Sequence, residues 1–487
     1  MARFTAILIL AALATAIGGC DRRRDNGPVI VSAIGKAPAL ADPTRGPADL
    51  PARLLLDSVA QGLVRFDAGG QITPGLAERW TVLDNGLSYV FRLRDAEWSD
   101  GRPVTAAEVV TVLRRQLAPA SRNPLRPFLS AVDEIVEMTP QVIEIRLSRP
   151  RPDLLKLFAQ PEMAILKLRP PAGSGPFRLT ARGRNWVMLR PAFDPARAPD
   201  DAEEPAPEES VQLYGERTSR ALLRFIARES DMVTGGSFVD WPLLAGLSIA
   251  PANLRVEPVA GLFGLAVVNR TGFLGDARNR MAVAQAIDRA ALVAAYAPTW
   301  PADETLLPEQ LDSAAPPAVA SWTRLAEAER REGARARVAG WRTEDAKPVV
   351  LRIALPKGPG ATILYGFVGA ALRSVGIEPR RVAINQPADL RLIDAVAPYD
   401  SARWYLATAC AACSDSVREM IDAARDAPDL ATRARLIAEA DVALAEDATY
   451  IPIARPLRWS LVALRLGQWQ GNTRGWHPLN RLRNERR

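Results

Sequence analysis

The sequence predicts an α/β protein of several units, one of them α+β. A turn, an alternating strand and a capped helix follow one another between 84 and 113, and strand, helix and strand alternate between 348 and 385. At 487 residues the chain exceeds one ordinary core, and domains of about 100–200 residues suggest two to four units. Hydrophobic residues at 48% and charged residues at 24% are globular values, so neither a disordered chain nor a polytopic membrane protein is indicated.

Gly69-Gly70 and Asp84-Asn85-Gly86 tolerate positive φ and mark chain reversals. After the second, Leu87, Tyr89, Phe91 and Leu93 alternate with Ser88, Val90, Arg92 and Arg94, the period of a half-buried strand. Ser99-Asp100-Gly101 ends this stretch, and Thr105 with Glu108 has capping-box spacing before a helix through Val109, Val112 and Leu113. Pro and acidic residues crowd 191–209, the composition of an exposed loop. A helix over 277–296, with Asp276 as cap, carries Met281, Ala284, Ile287, Ala291 and Leu292 on one face, as part of a further strand-helix-strand pattern. A Pro-rich passage follows at 298–317. Then a strand over 349–355, a helix over 362–375, Gly376 and a strand over 379–384 read as a right-handed βαβ unit with parallel strands. No internal repeat of solenoid length is apparent.

The order of these pieces resembles the family 5 extracellular solute-binding proteins of ABC importers, the peptide and nickel type. The matching residues are Gln61-Gly62-Leu63-Val64, Pro74-Gly75-Leu76-Ala77-Glu78-Arg79-Trp80, Asn85 through Arg94, and Trp98-Ser99-Asp100-Gly101 through Val109. Leu40-Ala41-Asp42-Pro43, Gly173 through Leu179 and Asp276 through Asp288 fall in family order. The resemblance implies a two-lobed, periplasmic-binding-protein-like α/β fold of class II, hinged between the lobes, with an extra α+β domain. Lobe I would be 28–45 with 165–265 and 455–487, domain II 46–164 and lobe III 266–454. Two lobes on hinge strands can close over a ligand, and closure is what a transporter reads.

Arg3, an apolar run from Ala6 through Ile17 and Gly18-Gly19-Cys20 have signal-peptide form, too short for a permanent membrane span. Ile17-Gly18-Gly19-Cys20 also resembles a lipobox, which implies a signal peptide at 1–19, a lipidated Cys20 and a tether at 20–27. Asp21 resembles an inner-membrane retention signal, so the expected place is the periplasm, anchored to the inner membrane. The net charge of +7, from 62 Lys plus Arg against 55 Asp plus Glu, rests mostly on Arg, with Lys at 36, 156, 167, 347 and 357 alone. No basic stretch is interleaved with aromatics, so nucleic acid is not an expected partner. Arg22 to Arg24 can touch anionic headgroups, and 481–487 reads as a solvated tail.

His477 is the single histidine, which argues against Ser-His-Asp or Cys-His catalysis and against a His-based metal site; it reads as a packed residue beside Trp476 and Pro478. No catalytic residue, metal or cofactor is expected. Cys410 and Cys413 read as a short-loop structural disulfide, with reduced thiols, a redox pair and a metal site as open alternatives. In the peptide-binding relatives this region carries a Trp and then an Asp that pairs with the peptide's α-ammonium. Trp404 matches the Trp, Tyr405 adjoins it, and Asp415 is the nearest acid beyond the cysteines. Trp300 lies in the Pro-rich passage that the resemblance places near the ligand cavity. Trp404, Tyr405, Asp415 and Trp300 are therefore the candidate ligand residues. The expected function is that of a monomeric, lipid-anchored binding protein that captures a peptide-like or other small solute and delivers it to an ABC permease. Reuse of the fold as a sensor or periplasmic chaperone is the alternative, with a CxxC redox protein behind it. Peptide, modified peptide, opine-like compound, metal chelate and glycoside all remain open as ligand.

Overall fold

The computed structural model describes residues 26–192, 204–309, 311–345 and 348–483. The expected signal peptide at 1–19, Cys20 with the first part of the tether, and most of the acidic passage lie outside the described residues. Two mixed sheets organise the remainder. The first has seven strands in the order Phe177–Arg182, Trp186–Pro191, Val211–Glu216, Val29–Ile34, Met232–Ser237, Arg458–Val462 and Leu254–Glu257. Val29–Ile34 runs parallel to both neighbours, with Val31 beside Leu213 and Met232, and all three of these side chains are buried, as the centre of a covered sheet requires.

The second sheet has five strands in the order Ile377–Ala383, Val349–Leu355, Leu390–Val396, Gly261–Val267 and Tyr450–Ala454. Its first two strands are parallel and joined by the helix Pro359–Ser374, the expected βαβ unit. The helix begins three residues before its expected start because Pro359 occupies the first turn, where a missing N–H costs nothing. The helix expected over 277–296 is divided into Ala277–Ala286 and Arg289–Ala294. Asp288 breaks it by accepting a 2.9 Å hydrogen bond from the Ala291 N–H as a new cap, and the buried Arg289 guanidinium donates to the Ala284 and Ile287 carbonyls. The strand before it, Gly261–Val267, is antiparallel to Leu390–Val396, so the further strand-helix-strand pattern expected there is not a parallel crossover.

The third unit is a four-stranded antiparallel sheet, Ala77–Leu83, Ser88–Leu93, Val142–Leu147 and Val132–Thr139, packed against the helix Ala106–Leu117. Asp84, Asn85 and Gly86 make the first reversal with φ of 51°, 53° and 88°. Tyr89, Phe91 and Leu93 face the core, and Thr105 and Glu108 form the expected capping box.

Among the described residues the chain passes between the two large sheets twice. Residues 258–260 connect Leu254–Glu257 to Gly261–Val267, and 455–457 connect Tyr450–Ala454 to Arg458–Val462. The two crossings are neighbours, because the strands entering and leaving them pair on both sides. The expected boundary at 265/266 falls inside Gly261–Val267, which is paired along its length in the five-stranded sheet.

Candidate functional site

A short turn beside the crossings joins all three units. The strand Leu390–Val396 stops before Pro398, which has no N–H for a ladder, and the helix Ala402–Ala409 begins shortly after. Asp312, from the Pro-rich passage, caps that helix by accepting from the Ala402 N–H at 2.6 Å and from Ser401 Oγ at 3.1 Å, and it pairs with Arg433 at 2.9 Å. The intervening residues are held from elsewhere. Lys156, next to the four-stranded unit, lies 2.6 Å from Asp400, and Gln160 donates to the Pro398 carbonyl at 2.5 Å. Arg474, in the segment after the seven-stranded sheet, pairs with Asp400 and donates to the Ala397 carbonyl at 3.0 Å. Tyr399 meets Phe128 edge-on at 5.7 Å.

Charge is concentrated in this seam, where Arg151, Arg403, Arg433 and Arg474 are buried and Lys156 and Asp400 are partly exposed. Burial pushes the Arg151 pKa down to about 10, and the cations Arg433, Arg149 and Arg403 act in the same direction. Burial raises Asp153 to about 6; Lys156 opposes the rise, while Asp312 and Asp400 add to it. Burial also works to raise Asp400, but Lys156 and Arg474 outweigh it and hold that carboxyl below its usual range. Arg403 is 8% exposed, and its Nε has no hydrogen-bond partner. The shifted groups Arg151 and Asp153 are thus gathered where the units meet.

The aromatic candidates support the adjoining crossing. Trp404, Tyr405 and Trp300 are 5%, 1% and 6% exposed. Trp300 donates its indole N–H to the Arg455 carbonyl at 2.9 Å, and the Arg455 guanidinium lies 6.0 Å from the Tyr405 ring. Trp404 stands edge-on to Tyr405 at 4.9 Å. Arg455 itself pairs with Asp303 at 2.7 Å and donates to the Leu306 and Leu307 carbonyls, so the Pro-rich passage is pinned to the crossing. Arg458, first residue of the strand beyond, pairs with Asp394 of the other sheet at 2.8 Å. Burial raises Tyr405 to about 12 against the pull of Arg455 and Arg474, which places this ring between crossing and seam.

Asp415 does not join the group: it is exposed in the first turn of Asp415–Asp426, a helix capped by Ser414. Cys410 and Cys413 are disulfide-bonded with Cα atoms 5.0 Å apart, between two helices. Their loop is tied by the Ser414 N–H to Asp447 at 3.2 Å, and Arg270 pairs with the same Asp447 at 3.1 Å. His477 is buried with Nε2 2.6 Å from Glu257, immediately before the first crossing.

Sequence reasoning missed Asp400, Lys156, Arg474 and Arg403. Two signals were present: Pro-Tyr-Asp directly after an apolar strand, and one of the few Lys in an Arg-rich chain. A cavity of about 630 Å³ adjoins the carboxyl end of Val29–Ile34, lined among others by Lys36, Asp42, Arg45, Asp49 and Leu166. Ligands of α/β sheets bind beyond the carboxyl ends of strands, in pockets of about 300–1,000 Å³. Among the described residues no group of three or more His, Cys, Asp or Glu is placed to hold a metal ion, and no helix is long and apolar enough to cross a membrane.

Residues 71–378 match the model of the bacterial extracellular solute-binding proteins, family 5 middle. The chain is 25% identical over 287 residues to the periplasmic murein peptide-binding protein of Escherichia coli, covering 53% of each chain. It is 38% identical over 94 residues to a probable deoxycholate-binding periplasmic protein of the same organism, which is 19% of this chain and 17% of that one. The matches thus span about half, or less, of these curated relatives. The fold is similar to the crystal structure of Haemophilus influenzae OppA in complex with the peptide RPPGFSPFR, with a TM-score of 0.78 at 17% identity, over 94% of this chain and 99% of that one.

Proposed function

The chain belongs to the family 5 bacterial extracellular solute-binding proteins, and we propose that it captures a peptide-like or other small solute between two closing lobes for an ABC permease. The turn at 397–400 carries the reading, because one short segment beside both crossings is gripped by Lys156 and Gln160 on one side and Arg474 on the other. A hinge of two neighbouring strands with such a seam suits rigid-body closure. In this reading lobe I is 28–45 with 165–257 and 458–487, domain II is 46–164 and lobe III is 261–454, with both crossings as hinge. Trp300 and Tyr405 brace the hinge at Arg455. The cavity by Lys36, Asp42 and Arg45 is the lobe I wall of the ligand space. The peptide named in the OppA structure and the murein peptide in the relative's name support a peptide-like solute.

Cys20 would hold the mature protein at the periplasmic face of the inner membrane through its acyl chains, as a monomer. Catalysis has no part in this proposal. Native mass spectrometry of protein purified from its own periplasm tests it: a retained solute of defined mass that is released on unfolding is expected. Protein that carries no solute, binds none from a periplasmic extract and keeps one shape in solution scattering would overturn it.

A further inference from the structure

The amino end of the seven-stranded sheet lies opposite the ligand cavity and has features the ligand reading does not use. Val29–Ile34 and Met232–Ser237 begin there and Arg458–Val462 ends there: the Asp231 N–H donates to the Ile30 carbonyl and the Ala463 N–H to the Asp231 carbonyl, both at 2.8 Å. A cavity of about 670 Å³ opens at this end, lined by Phe225, Ile226, Arg228, Leu464 and Arg465 among others. Leu464 is 73% exposed, Leu223 63% and Ile226 40%. Leu223 and Ile226 are three residues apart on the helix Thr218–Ile226 and share its outer face, while Ala221 and Leu222 fill the inner one. Large aliphatic side chains exposed together mark an interaction surface.

We propose that this end of lobe I rests on the anionic lipid surface when the protein is tethered. The proposal rests on the reading of Cys20 as the lipid anchor. Pro28, where the chain enters the sheet, accepts a hydrogen bond at 3.3 Å from Arg465, which lines the cavity. Only eight residues lead from Cys20 to Pro28, at most about 29 Å of extended chain at about 3.6 Å per residue. The entry point therefore stays close to the bilayer, and the exposed Leu464, next to Arg465, is beside it. Arg228 and Arg465 line the same cavity and Arg220 lies on the same helix, all three with partners inside the protein, Asp231 for Arg465 and Glu216 for Arg220, and Arg22 to Arg24 stand in the tether. Aliphatic groups flanked by guanidinium suit the headgroup boundary of an anionic membrane. This is the pose between encounters with a permease; delivery of solute requires the protein to turn on its tether so that the carboxyl end of the sheet faces the membrane.

The test uses full-length protein from a host that processes lipoproteins, placed on vesicles of phosphatidylcholine and phosphatidylglycerol carrying a headgroup nitroxide. A fluorophore is attached at Leu464→Cys or, as control, at Met138→Cys, which is 53% exposed on the four-stranded sheet. The mass of the mature chain reports acylation of Cys20. Quenching several-fold stronger at position 464 than at 138 is expected. An unacylated chain overturns the anchor reading and the proposal with it. An acylated chain quenched equally at both positions, or not at all at 464, overturns the membrane surface alone. A change of emission at 464 that depends on protein concentration and needs no vesicles assigns the patch to a second copy and likewise overturns it.

Discussion

Asp153 shows how the seam couples one proton to stability. Burial raises its pKa from 3.8 to about 6, against the attraction of Lys156 at 3.6 Å. The folded protein therefore holds a proton that the unfolded chain releases between about pH 4 and 6. This site favours folding increasingly as pH falls through 6, and its ionised form weighs against folding above that. Asp153→Asn is expected to raise the unfolding midpoint at pH 8 and to flatten its change between pH 8 and 5, by at most about 3 kcal/mol for a two-unit shift. Unfolding curves of the variant that stay parallel to wild type across this range would contradict the assignment. Gly360 is a second residue with a definite expectation. A Cβ there would lie 1.9 Å from the Phe238 carbonyl oxygen, where the helix Pro359–Ser374 meets the end of the seven-stranded body. Gly360→Ala is expected to cost about 1–3 kcal/mol in urea unfolding, because the obstacle is backbone and cannot turn aside. Unchanged stability would mean the helix can retreat from that contact freely.

At the scale of elements, the Cys410–Cys413 link closes a loop of a few residues between two helices. Chain entropy for so short a loop amounts to roughly 2 kcal/mol. The loop is anchored on Asp447 and Arg270, away from Asp400, so Cys410→Ser/Cys413→Ser is expected to lose about that much stability while solute affinity stays as in wild type. A tenfold weaker affinity in the double variant would instead make the loop part of the ligand wall. Local elements were legible in the sequence because their signals are local: positive-φ residues at Asp84 to Gly86, the Thr105 cap, and the strands around the helix Pro359–Ser374. The break at Asp288 was hidden because an apolar helical face continues through it, and only a side-chain cap distinguishes two helices from one. The seam was hidden for a different reason. Lys156, Asp400 and Arg474 are far apart in sequence, and no period or spacing relates them. Trp404 stands out in the sequence by its match to the Trp of the peptide-binding relatives; it is buried, and the short polar turn just before it makes the contacts between units.

For the whole molecule, the proposed closure makes the contribution of the seam open to measurement. Asp400 neutralises two cations from different units, Lys156 at 2.6 Å and Arg474, within a site where Arg151 and Arg403 already crowd positive charge. Lys156 and Asp400 are already partly exposed whereas Arg474 is buried, so under the proposed closure the Arg474–Asp400 pair is the one that weighs most on the closed side. Asp400→Asn leaves Arg474 without this carboxylate and Lys156 with Asp153 alone, at a cost of about 1.5 kcal/mol, the low end for charge-assisted hydrogen bonds because Asp400 is partly exposed. That free energy moves a closure equilibrium by roughly tenfold. The solute-free variant is then expected to have a larger radius of gyration than wild type in solution scattering, and to bind the solute up to about tenfold more weakly. Asp415→Asn serves as the control, since its carboxylate is exposed at a helix start and meets neither Lys156 nor Arg474. A variant at position 400 that scatters and binds as wild type does would show that closure is governed elsewhere, with the pairs at 477 and 257 and at 394 and 458, beside the two crossings, as the next contacts to break.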